Sequence, residues 1–194
     1  MSIHTPVNKR GVYFITFTCF NWLPLIERTN GYDLVYNFFD VMKQNGNEVL
    51  GFVIMPNHVH LLLHYTNTKR SLNTIIGNGK RFIGYDIVNR LEERNETFLL
   101  NEMKEAVIDK DKRRNKKHEL WQGTFDVKEC RTEKFILQKL NYIHNNPCTE
   151  RWKLAEKPYE YPHSSARFYD GDKSGYRVKD YRDVLAELKY GDEG

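Results

Sequence analysis

Ile54-Met55-Pro56-Asn57-His58-Val59-His60-Leu61-Leu62-Leu63 is the stretch on which the reading of this chain turns. Pro-Asn is turn chemistry: proline presets its own φ, and asparagine tolerates the backbone angles of a tight reversal. The residues after it alternate. Successive side chains of an extended strand point to opposite faces, so His58, His60, Leu62 and His64 share one face and Val59, Leu61, Leu63 and Tyr65 the other. Two imidazoles on one face, roughly 7 Å apart along the strand, can converge on a single metal ion. An edge strand that merely carries histidines satisfies the same pattern, so the rest of the chain has to decide.

Working outward, NEVLGFVIM (47–55) reads as the strand that pairs with HVHLLLHY (58–65) across the Pro56-Asn57 turn. Further upstream, GVYFITFTCF (11–20) is β-branched and aromatic throughout and reads as a strand. Between them NGYDLVYNFFDVMKQNGN reads as a helix. Leu34, Val35, Phe38, Phe39 and Met42 recur at three and four, and Gly46 is the stop. Downstream, 71–94 reads as a second helix with Leu72, Ile75, Ile76, Phe82, Ile83, Ile87 and Leu91 as its apolar set. Gly77 and Gly79 weaken its middle by roughly 1 kcal/mol each relative to alanine, which marks a kink or a close backbone approach. NETFLLNEMKEAVID (95–109) allows a further helix, KDKRRNKKH is a basic run, and WQGTFDVKEC (121–130) reads as a short strand. The order strand, helix, strand, strand, helix, strand is the split βαβ, ferredoxin-like pattern of an α+β fold: an antiparallel sheet with helices on one face. A third helix, TEKFILQKLNYIHNN (132–146), follows. We take 1–194 as one domain with a core of about 10–147, a basic insertion at about 95–118 and a tail from 148 that ends in a short helix near 181–188.

Composition narrows the class. The chain has 194 residues, 13% of them aromatic, and a formal charge of +4. Its isoelectric point near 8.8 permits a nucleic-acid partner without requiring one. Cys19, Cys130 and Cys148 are odd in number and widely spaced, so we expect neither a disulfide framework nor a CxxC metal knuckle. MSIHTPVNKRG has no apolar signal core, and no apolar run approaches the roughly 18 residues of a membrane span. We expect a cytoplasmic protein with no membrane partner.

The third helix supplies a second group of polar residues. Thr132 suits its N-cap, and Pro147 should end it because proline disfavours helical geometry at the residue before it. Ile136, Leu140 and Ile143 form the core stripe, with Leu137 beside it. Tyr142 falls at the margin of that stripe, and Asn146 lies over the same face one turn later. Alone, each is an ordinary amphipathic or helix-ending residue.

Together, MPNHVHLLL and LNYIHNNP are similar to the paired signatures of the HUH single-tyrosine transposases, here with valine between the histidines. The Asn-Pro ending of the tyrosine helix resembles the REP-associated branch; insertion-sequence members carry glutamine there. KRFIGYDIVNRL, LWQGTFD and YPHSSARFY extend the resemblance over roughly 10–170. It implies a metal-dependent single-stranded DNA endonuclease and strand transferase that acts at hairpin DNA, in the bacterial cytoplasm and at the nucleoid. Carried over residue by residue, His58 and His60 become metal ligands, Asn146 the third, polar metal-site residue, and Tyr142 the nucleophile that forms a 5′-phosphotyrosine link. The expected ion is Mg²⁺ or Mn²⁺. Lys139, one turn before Tyr142, is a candidate to assist it.

Phosphate-contact candidates are Lys9, Arg10, Lys69, Arg70, Lys80 and Arg81, with Arg113 and Arg114 in the basic run. That run also reads as a solvated loop. The family's N-terminal arm reads a short tetranucleotide; the arm here does not match a pattern that can be carried across. His64 lies on the ligand face but should miss the metal, and His144 should be structural. Trp121 and Gln122 should pack. The chain acts as a monomer or homodimer, the tyrosine helix serving its own or a partner's histidines. The alternative is a non-cleaving protein that binds hairpin DNA or RNA. A plain RNA-binding ferredoxin-like module with Phe14 and Phe20 as stacking residues ranks last, since no RNP motif is present.

Overall fold

Four strands and eight helices follow one another in the computed structural model, which describes residues 6–66, 69–123 and 125–191. In chain order they are β1 (Gly11–Thr18), α1 (Leu25–Arg28), α2 (Tyr32–Gln44), β2 (Glu48–Ile54), β3 (His58–Tyr65), α3 (Leu72–Glu93), α4 (Thr97–Glu105), α5 (Asp109–Lys112), β4 (Asp126–Glu129), α6 (Glu133–Asn145), α7 (Ala166–Tyr169) and α8 (Tyr181–Gly191). The sheet order is β2-β3-β1-β4, and every pairing is antiparallel. This is the split βαβ arrangement expected from the order of elements. β3 spans 58–65 as read, whereas the other three strands are shorter than the sequence pattern suggests. β1 ends at Thr18 because the chain turns into a 3-10 turn at Phe20–Trp22, and β4 keeps only four residues of 121–130, of which Thr124 lies outside the described residues.

The sheet is covered on both faces by different helices. Val59, Leu61, Leu63 and Tyr65 of β3 join Tyr13, Ile15 and Phe17 of β1 in a large core beneath α2 and α3. Phe14, Val12 and Leu62 point the other way and form a smaller core with Ile136, Leu140 and Ile143 of α6. Thus α2 and α3 hold one face, and α6 lies on the face that β3 lines with His58, His60 and His64. The segment 95–118 is not a detached loop: Leu99 and Met103 of α4 belong to the large core.

Two glycines set how closely helices reach their neighbours. A methyl group on Gly51 of β2 would overlap Leu140 Cδ1, so glycine is what lets α6 settle onto the sheet. Gly79 meets the Phe38 ring in the same way, whereas Gly77 faces open space. Helix α3 therefore runs unbroken from Leu72 to Glu93, with close approach, not a kink, as the reason for Gly79. Phe82, expected in the apolar stripe, is 58% exposed.

The tail closes the β2 edge. Ile54 N donates to His163 O at 2.8 Å, Ser165 N to Phe52 O at 3.0 Å and Lys179 N to Val49 O at 2.9 Å. Tyr161 and Tyr169 hydroxyls donate to the Ile54 and Leu50 carbonyls. His163 stacks on Tyr32 of α2 with ring centres 3.6 Å apart. The YPHSSARFY segment is thus a strap that pairs with an otherwise open strand. Gly77→Ala is expected to stabilise the protein by about 1 kcal/mol through helix propensity. Gly79→Ala, two residues on and facing the core, is expected to destabilise it by about 1–3 kcal/mol through overpacking against Phe38. Denaturant midpoints of the two variants, moving in opposite directions, check this.

Candidate nucleic-acid-processing site

His58 and His60 sit where β3 passes the C-terminal end of α6. Both are buried, and their ring centres are 4.7 Å apart. Each ring is held by its Nδ1. His58 Nδ1 pairs with Asn57 Oδ1 at 2.8 Å, and His60 Nδ1 with Thr16 Oγ1 at 2.8 Å. Thr16 is the cross-strand partner of His60, so sheet register itself supplies that bond. Asn57 turns its Nδ2 to the Trp22 carbonyl at 2.7 Å, which leaves its oxygen to accept from His58. With Nδ1 engaged, Nε2 of each ring is the nitrogen available as a ligand.

Burial pushes His58 down to about 4; the Asn146 amide beside it opposes the shift and Arg151 adds to it. His60 is pushed well below its ordinary value by burial, by His58 and by Lys139. Both imidazoles are neutral at physiological pH, the state in which imidazole coordinates a metal.

Helix α6 brings the rest. Thr132 caps it, accepting from Phe135 N. The α-helix ends at Asn145, and the chain passes into a 3-10 turn at Asn146–Cys148. Pro147 thus stops the helix as expected, although Asn146 keeps helical dihedrals, φ −54° and ψ −46°. Asn146 is buried, and its Oδ1 meets no donor at full hydrogen-bonding geometry, although it stands close enough to His58 to favour a proton on that ring. A buried amide oxygen without a donor is costly, and this one sits beside His58. Two neutral imidazoles and an orphan carbonyl oxygen form a donor set that fits a divalent cation of borderline or hard character. Among the described residues no group of three or more His, Cys, Asp or Glu side chains could do so.

Tyr142 is half exposed, at 50%. Its ring lies 5.0 Å from that of His60 and 6.0 Å from that of Phe14. Lys139 places its ammonium 5.8 Å from the Tyr142 ring centre and 4.8 Å from that of Phe14. The strand and helix read separately in the sequence therefore face each other, and they do so within one chain.

Other residues fall elsewhere. His64 is buried with Nδ1 unpartnered, at the Glu48 end of the β2–β3 ladder. His144 donates or accepts at Ser165 Oγ, 2.9 Å away, and ties α6 to the strap. Trp121 packs edge-on against Phe17. Of the phosphate candidates, Lys80 is buried, donating to the Gly123 carbonyl at 3.2 Å. Burial lowers it to about 8. It is a structural lysine rather than a surface contact, a correction to the sequence reading. Lys9 and Arg10 are exposed, but they precede Gly11, which opposes Tyr65, whereas His58 opposes Thr18. They lie at the far end of the sheet, beyond Gly11, which is itself roughly 23 Å along the strand from the partner of His58 and roughly 17 Å from that of His60. Residues 1–5 of the arm lie outside the described residues. Arg81, Arg113 and Arg114 are exposed, while Lys112 and Lys116 of the same run pair with Asp109, Asp111 and Glu119.

Trp22 and Trp152 did not emerge from the sequence. Trp22 lies 5.6 Å and Trp152 5.5 Å, ring centre to ring centre, from His58. Neither sits in a periodic segment. A Trp-Leu-Pro break after the first strand and a tryptophan five residues after Pro147 are the only signals they leave.

Sequence comparison finds no matching family model and no matching curated protein. Comparison of structures does find likenesses. A REP-associated tyrosine transposase solved bound to a REP hairpin superposes with a TM-score of 0.62 at 14% identity, covering 93% of this chain and 100% of that one. The two share a fold. A protein from Deinococcus radiodurans R1 described as a transposase gives a TM-score of 0.44 at 18% identity over 75% of this chain and 97% of that one, below the level at which a shared fold follows.

The depressed imidazoles give a pH signature. Above about pH 6.5 folded and unfolded chains both hold neutral histidines. Below it the unfolded chain takes up protons that His58, His60 and His144 refuse in the fold, His144 being held at about 4 by burial. Unfolding free energy measured in urea is therefore expected to fall as pH drops from 6.5 toward 4. His144→Gln should lower that slope by up to one proton.

Proposed function

We propose that this chain is an HUH single-tyrosine transposase of the REP-associated kind: a metal-dependent single-stranded DNA endonuclease and strand transferase acting at hairpin DNA. The observation that carries the reading is the approach of Tyr142 to His60 across two elements far apart in sequence, with the orphan Asn146 oxygen one helical turn on. The shared fold with a transposase bound to a hairpin supports it.

In this reading His58, His60 and Asn146 hold the ion, Mg²⁺ or Mn²⁺. When bound, it supplies Lewis-acid charge neutralisation at a non-bridging phosphate oxygen. The chain's own groups do the rest. Thr16 and Asn57 fix the two rings so that neither has to reorganise when charge develops. Tyr142 Oη, projecting from the rim of α6, attacks phosphorus. The new Oη–P bond forms as the bond from phosphorus to the 3′ oxygen breaks. The phenol proton passes to solvent as the bond forms, and the departing oxygen takes up a proton to become a 3′-hydroxyl. Lys139, beside the ring, stabilises the phenolate and the phosphate as a fixed positive charge. Because phosphodiester is exchanged for phosphotyrosine, a 3′-hydroxyl can reverse the step, which joins one strand to another. Since one chain carries the whole set, a monomer suffices for one cleavage. The chain works in the bacterial cytoplasm.

Incubation with labelled single-stranded hairpin DNA and Mn²⁺ should give a covalent protein–DNA adduct on a denaturing gel. Tyr142→Phe should remove it, and an adduct persisting in that variant refutes the assignment. His58→Ala and His60→Ala should cut adduct formation by at least about 10²-fold while hairpin affinity holds. Binding with no adduct under any metal would favour the non-cleaving alternative. Thr16→Val, which removes the His60 Nδ1 partner, is expected to slow cleavage about 10–100-fold with unchanged DNA affinity; equal rates would show that the Thr16 contact does not orient the ring.

A further inference from the structure

Three side chains crowd the flank of His58, whereas Tyr142 borders His60. Trp22 comes from the 3-10 turn after β1, and Arg151 and Trp152 from the turn after α6. The Arg151 guanidinium carbon lies 4.6 Å from the Trp22 ring centre and 5.0 Å from that of Trp152. Both indoles also touch the His58 ring. Trp22 is 41% exposed despite being one of the largest apolar side chains.

Its backbone is held in place at a cost. Asn21 and Trp22 are consecutive residues with φ of +48° and +58°, the left-handed region that a bulky side chain rarely occupies. The Asn57 amide stabilises this turn by donating to the Trp22 carbonyl, and its oxygen pairs with His58 Nδ1. One asparagine thus ties the position of the indole to that of the imidazole. Strain at a residue whose side chain is presented to solvent beside a reactive site points to a ligand. Planar apolar faces with an interleaved guanidinium are the chemistry that grips a nucleobase and its phosphate without reading sequence.

We propose that Trp22, Arg151 and Trp152 form a stacking subsite for one unpaired base of single-stranded DNA, at the nucleotide next to the phosphate held at His58 and His60. This rests on the reading of the histidine pair as a DNA-cleaving site. The base lies on an indole face, and Arg151 contacts the adjoining phosphate. The subsite fixes which phosphate stands before Tyr142.

The test uses the full chain in chelator, which holds back cleavage, with single-stranded oligonucleotides carrying 2-aminopurine at successive positions. Wild type should quench the fluorescence at one or two adjacent positions only. Trp22→Ala should lose that quench and bind about tenfold more weakly, while Trp22→Phe keeps most of both. Arg151→Lys, which retains charge but not planarity, should weaken the quench. Arg151→Gln should lower the salt dependence of binding by about one phosphate contact. Urea midpoints confirm that each variant folds, and Arg151→Lys decides the matter if Trp22→Ala does not. Quenching that is absent, or unchanged in Trp22→Ala and Arg151→Lys, overturns the subsite. If wild type also forms the Tyr142 adduct, the subsite alone falls; if wild type neither binds single-stranded DNA nor forms an adduct, the cleavage reading falls with it.

Discussion

Leu140 of α6 rests in the space that a side chain at Gly51 would fill. That contact governs the distance between a helix and a sheet face, and with it the distance between Tyr142 and His60. Helix α6 seats Ile136, Leu140 and Ile143 in the core on this face, with Phe135 packed beside them. Raising it by the width of a methyl group would move the tyrosine ring and the Asn146 oxygen away from the histidines together. The chemistry proposed for the site needs its groups held within fractions of an ångström. The packing at Gly51 is therefore part of the site, though no atom of Gly51 faces it.

The polar groups of the site are arranged in two layers. Thr16 and Asn57 occupy the Nδ1 atoms of the two rings, so the inward nitrogens cannot exchange roles. Burial keeps both rings neutral, and the Asn146 oxygen completes the set from another part of the chain. Any ion held by this group would bind folded chain and not unfolded chain, and would raise the unfolding midpoint in proportion to its occupancy. The strap reinforces the same geometry from outside: His144 of α6 and Phe52 of β2 both bond to Ser165.

Much of this was legible in the residues. Period-two alternation after Pro56-Asn57 put His58 and His60 on one face, and helical spacing put Tyr142 and Asn146 on another, because both signals come from local backbone geometry. Position also carried information that charge obscured. Lys80 lies at the helical spacing of Ile76, Ile83 and Ile87, the buried stripe of α3, yet its charge suggested a surface contact. Trp22, Arg151 and Trp152 were not legible, since irregular turns leave no period and their meeting beside His58 depends on how the chain ends after β1 and α6 are placed. Gly51 was a usable sign that passed unread: a glycine inside a strand commonly marks close approach.

The strap along β2 has a consequence for association. Of the two outer strands of this sheet, one already has its backbone groups occupied by residues 163–179 of the same chain. The other, β4, offers four residues, Asp126, Val127, Lys128 and Glu129, three of them charged. Both margins are thus poor templates for the addition of a strand from a second molecule, one by its strap and the other by its shortness and charge. Copies of this protein would therefore have to recognise each other through surfaces other than the sheet margins, and a newly made chain is shielded from sheet-to-sheet aggregation once residues 163–179 have docked along β2.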